Sequence, residues 1–113
     1  MAPALACGNT VIYKPSECTP VTSLHVAELW KDLLPPGVLQ VLPGEAETAK
    51  HLVAHPLIQK VSVTGSTTTG IKVARQSADT LKRLTLELGG KSPLLVFADA
   101  DMESAVRVAI EGM

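Results

Sequence analysis

Short aliphatic runs, each broken within a residue or two by proline, glycine or a charged side chain, constrain this chain more than any other feature. Thr10–Lys14 stops at Pro15, Val38–Leu42 at Pro43 and Gly44, Lys60–Val63 just before Gly65, Arg83–Leu86 at Glu87, and Leu94–Phe97 just before Asp99. Runs of this length with near-continuous apolar character are what strands look like when both faces of a sheet are covered. Between them lie stretches with helical spacing. Pro20 suits a helix start, and Leu24, Ala27, Leu29 and Trp30, with Leu33 and Leu34 beyond, give one apolar stripe until "LPPG" ends it. Ala46–Ala54 reads as a second helix, ended near Pro56. Thr67–Ala78 reads as a third, with Ile71, Val73 and Ala74 turned inward. A last helix runs from about Met102 towards Met113, with Asp99 or Asp101 placed to accept hydrogen bonds from its first N–H groups. Strand–helix alternation at this spacing predicts βαβ units and an α/β fold: a mostly parallel five-stranded sheet flanked by helices.

The 113 residues suit one domain, with no repeat, low-complexity tract or internal linker. Aromatic residues are only 3% of the chain, so the core must be built from Val, Leu, Ile and Ala, as such a sheet requires. The first residues read as the last turn of a helix and the final ones as the inside of another. The expectation is therefore a fragment of a larger chain, whose amphipathic ends need partners from outside it. A formal net charge of −1 gives no basic stripe for nucleic acid or an acidic membrane surface. No apolar run is long enough to span a bilayer and no signal peptide is visible. Cys7 and Cys18 show no paired framework, which favours a reducing, cytoplasmic setting.

In open parallel α/β sheets, ligands sit beyond the carboxyl ends of the strands, so the residues that follow each strand carry the functional information. After the first come Lys14, Pro15, Ser16 and Glu17. Pro15 stiffens the turn, Lys14 can donate to sugar hydroxyls or phosphate, and Glu17 can accept two hydroxyls of a ribose. A solvated Lys/Glu turn explains the tetrapeptide alone as well. After the third strand, Gly65 allows close backbone approach and Ser66 can cap the next helix, whose free N–H groups and positive dipole end suit a phosphate. An ordinary strand-to-helix turn carries the same residues, and the G-x-G-x-x-G fingerprint of dinucleotide-binding folds is absent. After the fourth strand stands Glu87, followed by Leu88, Gly89 and Gly90. A carboxylate against apolar walls is pushed towards its neutral form and suits a general base near neutral pH. Gly89 and Gly90 leave backbone open to a flat ring. The alternative is a turn cap or an ion pair with Lys91.

His51 and His55 stand four apart on one helix, a spacing that can chelate zinc, but no third ligand is evident and a solvated helix face is the better reading. No metal is expected. His25 reads as surface or packing. Neither cysteine has a histidine placed to activate it. Cys7 reads as an inert buried thiol, and Cys18 is left open.

Taken together and in order, "APALACGNTVIYKPSECTP", "LPPGVLQVLPG", "KVSVTGSTTTG" and "LELGGKSPLLVFADAD" resemble the aldehyde dehydrogenase superfamily over essentially the whole chain. The resemblance implies that residues 1–113 are a Rossmann-like NAD(P)-binding segment of the larger aldehyde dehydrogenase fold. Lys14 and Glu17 would bind the adenosine ribose, with Pro15 and Ser16 shaping the turn. The glutamate at position 17 would favour NAD over NADP by repelling a 2′-phosphate, with NADP still possible. Gly65 and Ser66 would meet the pyrophosphate. The adenine would lie between the first and second helices, with Thr69 against its face. Leu88 and Gly89 would line the nicotinamide side, and Glu87 would activate the water that hydrolyses a thioester. Ala46 and Thr69 depart from the glycine and aliphatic residue common at those places. The family's nucleophilic cysteine falls beyond Met113 and its oxyanion-stabilising asparagine before Met1. The substrate would be an aldehyde, with "APALACGNT" leaning towards betaine- or amino-aldehyde enzymes, and the complete protein a homo-oligomer. A non-catalytic nucleotide-binding or structural module is the alternative.

Overall fold

The computed structural model describes residues 1–112. It contains a one-turn helix α1 (Ala2–Ala6), strand β1 (Val11–Tyr13), helix α2 (Pro20–Trp30), strand β2 (Leu39–Val41), helix α3 (Ala46–Ala54), strand β3 (Lys60–Thr64), helix α4 (Thr67–Ala78), strand β4 (Arg83–Glu87) and helix α5 (Met102–Glu111). Apart from the last aliphatic run and the end of α2, each element expected from the sequence forms within a residue or two of its expected bounds; α2 stops at Trp30, and Leu33 and Leu34, expected to extend its stripe up to LPPG, lie in the turn that follows.

The strands pair two by two and in parallel. β1 lies beside β2 with Val11 opposite Leu39 and Tyr13 opposite Val41. β3 lies beside β4 with Lys60 opposite Arg83 and Thr64 opposite Glu87. Each pair is joined through a helix, α2 or α4, because parallel neighbours need a crossover. The expected five-stranded sheet is corrected on two counts. The two pairs form separate two-stranded sheets, and Leu94–Phe97 is not a strand. An apolar run becomes a strand only when neighbouring backbone takes its N–H and C=O groups. Among the described residues nothing pairs with Leu94–Phe97, and Leu95 and Phe97 stand 76% and 73% exposed.

The buried core is correspondingly small. Val53 of α3 and Val73 of α4 are its buried apolar members, where α3 packs on α4 and α4 on β4. Ile71, expected inward, is exposed; Val73 is buried and Ala74 half-buried. The radius of gyration is 18.4 Å, against about 13 Å for a closed domain of this size. Polar ties stand in for part of the missing apolar burial. Lys82 is buried, and its Nζ donates to the carbonyl oxygens of His55 at 2.7 Å and Ile58 at 2.6 Å. This pins the α3–β3 loop to the start of β4. Gln76 Nε2 donates to the Lys50 carbonyl at 3.0 Å, tying α4 to α3. At the entrance to α5, Asp101 accepts from the Ser104 hydroxyl at 2.8 Å and from the Glu103 N–H at 3.1 Å. The Ser104 bond first, then the Glu103 bond, hold its carboxyl below the usual aspartate range.

Candidate functional site

Parallel pairing brings the loops that follow the strands together in twos. After β1, Lys14 turns back over its own loop. Its Nζ donates to the carbonyl oxygen of Gly44, which follows β2, at 2.6 Å and to that of Pro15 at 2.9 Å. Glu17 Oε2 lies 3.7 Å from the same nitrogen, an ion-pair distance too long for a hydrogen bond. The Lys14 side chain is 17% exposed and that of Glu17 is 59% exposed. The stem is thus covered while the carboxylate faces solvent. Pro15 is fully buried and fixes the base of the turn. Ser16 Oγ accepts from the Cys18 N–H at 3.3 Å, which sets the shape of the loop. An ammonium has three N–H donors. Two are spent on carbonyls, and the third remains for a ligand beside the Glu17 carboxylate.

The second pair of loops is joined by backbone. The Gly65 N–H donates to the Glu87 carbonyl at 3.0 Å, continuing the ladder one step past Thr64 opposite Glu87. Ser66 caps α4: its Oγ accepts from the Thr69 N–H at 3.1 Å and lies 3.0 Å from Thr69 Oγ1. The N–H groups of Thr67 and Thr68 are left without a protein acceptor among the described residues. Two free donors on an exposed helix start can meet an anion.

Leu88 lies against the first turns of α4. A methyl group at Gly70 would come 2.5 Å from Leu88 Cδ1 and 2.6 Å from Cδ2, so only glycine lets Leu88 sit there. Gly70 is buried. A Cβ at Gly89 would be 3.7 Å from Thr67 Oγ1, which places this corner directly beside the capped helix start. Glu87 itself is exposed, so the apolar walls expected around its carboxylate are not supplied by the described residues. The alternative pairing with Lys91 is also missing among them: Lys91 Nζ reaches only the Gly90 carbonyl, at 3.5 Å.

All the proposed contact residues therefore sit at the carboxyl ends of their strands. Lys14, Pro15, Ser16 and Glu17 gather with Gly44, and Gly65, Ser66 and Thr69 gather with Glu87, Leu88 and Gly89. The two sheets share no ladder hydrogen bond. The sequence reading missed Gly44 and Gly70. In sequence Gly44 reads only as a strand terminator and Gly70 only as the closing glycine of the GSTTTG run. The signal for the first was a Pro-Gly pair at the mouth of a helix; for the second, a glycine four residues into one. Cys7, expected buried, is exposed, as is Cys18. α1 is a single turn that buries none of its residues. His51 and His55 are exposed, and no cluster of metal-ligating side chains occurs among the described residues.

The sequence profile of the aldehyde dehydrogenase family matches residues 1–113. The chain belongs to that family. It is 51% identical over 110 residues to human 4-trimethylaminobutyraldehyde dehydrogenase, covering 96% of this chain and 22% of that protein. It is 52% identical over 112 residues to betaine aldehyde dehydrogenase of Rhizobium johnstonii, covering 98% of this chain and 23% of that protein. Among solved structures it superposes on a mutant of aldehyde dehydrogenase C from Pseudomonas syringae, in complex with NAD+ and octanal. The TM-score is 0.82 at 47% identity, over 93% of this chain and 22% of that one. The chain thus spans less than a quarter of the length of the relatives it matches.

Proposed function

We propose that residues 1–113 form the dinucleotide-binding segment of an NAD(P)-dependent aldehyde dehydrogenase that oxidises an aldehyde to a carboxylic acid. The observation that carries this reading is the register of β3 and β4. Thr64 opposite Glu87, extended by the Gly65 N–H to Glu87 carbonyl bond, sets a helix start with free N–H donors beside a carboxylate corner. Family membership and the NAD+ complex of the Pseudomonas syringae relative support it.

The residues present fit the cofactor. Lys14 keeps one N–H for a ribose hydroxyl, and Glu17 can accept from the neighbouring hydroxyl of the same diol. Pro15 and Ser16 hold the turn that carries them. The charge of Glu17 disfavours a 2′-phosphate and so favours NAD. The N–H groups of Thr67 and Thr68, with Gly65 and Ser66 shaping the approach, suit the pyrophosphate, and Thr69 would lie against the adenine side. Leu88 and Gly89 would border the nicotinamide. Bound there, the nicotinamide supplies a hydride acceptor. The nucleophile would be a cysteine outside this chain, whose thiolate adds to the aldehyde carbonyl; loss of the C–H hydride to that acceptor would leave the acyl group as a thioester on the cysteine sulfur. Glu87 then takes a proton from water at a carboxylate oxygen, so that the hydroxyl attacks the thioester carbonyl and the thiolate leaves. The names of the human and Rhizobium relatives support an amino- or trimethylammonium-bearing aldehyde as substrate.

The test is pre-steady-state kinetics of the full-length protein carrying Glu87→Gln. The reading expects an NADH burst of normal amplitude and a steady-state rate reduced ~100-fold or more, the usual worth of a general base. A lost burst with NAD+ affinity intact would contradict the assignment of Glu87 to hydrolysis.

A further inference from the structure

We infer that the backbone carbonyl of Gly44 is a positioning group for the ribose subsite, acting through Lys14. The inference rests on the reading of Lys14 and Glu17 given above and adds a residue to it.

Lys14 Nζ makes its shorter hydrogen bond, 2.6 Å, to Gly44, thirty residues away in sequence, rather than to its neighbour Pro15. A lysine ammonium on a four-carbon stem is otherwise a mobile charge. Two carbonyl acceptors convert it into a fixed tripod with its third N–H aimed beside Glu17. Pro15 alone would leave the ammonium free to rotate about a single bond. The Gly44 carbonyl is fixed in turn by its own backbone. Gly44 has φ +153°, and a Cβ there would run into the Cβ of Thr48 at 2.8 Å and its methyl at 3.1 Å. Glycine thus lets the start of α3 pack close enough for its preceding carbonyl to reach the ammonium. α3 and the β1 loop are linked at this point, so the ribose donor is set by a residue that never touches the ribose.

The carbonyl can be weakened without altering any side chain by replacing the Gly44–Glu45 peptide bond with an ester, which makes the Gly44 oxygen a poorer acceptor. The Glu45 N–H that is lost makes no backbone hydrogen bond among the described residues. The experiment uses the full-length protein as wild type, with the ester, with Lys14→Met, and with both. Calorimetry measures the affinity for AMP and for 2′,3′-dideoxy-AMP, which lacks the ribose hydroxyls. The expected result is an AMP affinity weakened roughly fivefold by the ester, a partial loss of one charge-assisted hydrogen bond. The dideoxy ligand is unaffected, and the ester adds nothing once Lys14 is Met. An ester without effect, equal losses for both ligands, or a full additional loss in the Lys14→Met background would overturn the role of Gly44 while leaving that of Lys14 intact. An unchanged AMP affinity in Lys14→Met alone would instead overturn the ribose reading, and the inference with it.

Discussion

Gly70→Ala tests whether Leu88 is seated on α4 as described. The added methyl would lie 2.5 and 2.6 Å from the Leu88 methyl carbons and 3.1 Å from its Cγ. All the outer atoms of that side chain are displaced together. Overpacking of this kind costs about 1–3 kcal/mol. Against it stands the gain from replacing glycine by alanine inside a helix, about 1 kcal/mol. Leu88 is half-buried and can swing only partly aside, so overpacking costs ~2 kcal/mol, the middle of that range, and the net loss after the helix gain is ~1 kcal/mol. Truncating the neighbour changes the sign. In a Leu88→Ala background the methyl meets open space, and Gly70→Ala should stabilise by about 1 kcal/mol. The assay is the apparent thermal midpoint of the full-length protein in all four combinations, with hydrogen exchange across residues 60–90 to localise the effect. A lower midpoint in the wild-type background and a higher one in the Leu88→Ala background are expected. The same sign in both would refute the contact, and with it the idea that α4 holds the Glu87–Gly89 corner in place.

Ser66→Ala removes the Oγ that accepts from the Thr69 N–H, and should lower stability by about 1 kcal/mol, read as faster exchange of the first turn of α4. Lys82→Met keeps the stem but leaves the His55 and Ile58 carbonyls without their donor. A loss of about 2–4 kcal/mol is expected, seen as a lower midpoint and early opening of the α3–β3 loop. Asp101 has its carboxyl pKa lowered by the Ser104 hydroxyl and the Glu103 N–H. A depressed folded-state value means that the cap stabilises α5 above the ordinary aspartate value of 3.8 and is lost as pH falls below it. Asp101→Asn should flatten that part of the pH–stability curve; an unchanged curve would refute the cap's contribution.

Local grammar made much of the fold legible. Pro20, Ser66 and one of Asp99 or Asp101 marked helix starts, Pro15 and Pro43 marked strand ends, and each mark is a short-range steric or hydrogen-bonding fact. Sheet assembly was not legible, because a strand depends on a partner. Leu94–Phe97 has the same aliphatic character as Val11–Tyr13 and differs only in lacking a neighbour. Burial failed for the same reason. Ile71 and Cys7 look like core residues by type, but too little among the described residues covers them, and both are exposed. In the candidate site, side-chain chemistry pointed to Lys14, Glu17, Ser66 and Glu87. Sequence could not reveal that Lys14 bonds a carbonyl thirty positions away, since a carbonyl is present at every residue. Nor could it reveal that Gly70 is a seat for Leu88, since a missing side chain shows its purpose only beside what fills the space.

A nicotinamide dinucleotide lying across the carboxyl ends of these strands would engage both pairs of loops, and a crystal structure of the full-length protein with NAD+ bound tests that most directly. The predicted result has the adenosine ribose hydroxyls within hydrogen-bonding distance of Lys14 Nζ and Glu17, the pyrophosphate over the Thr67 and Thr68 N–H groups, and the nicotinamide beside Leu88 and Gly89. A dinucleotide bound elsewhere, or one whose ribose leaves Lys14 and Glu17 untouched, would contradict it.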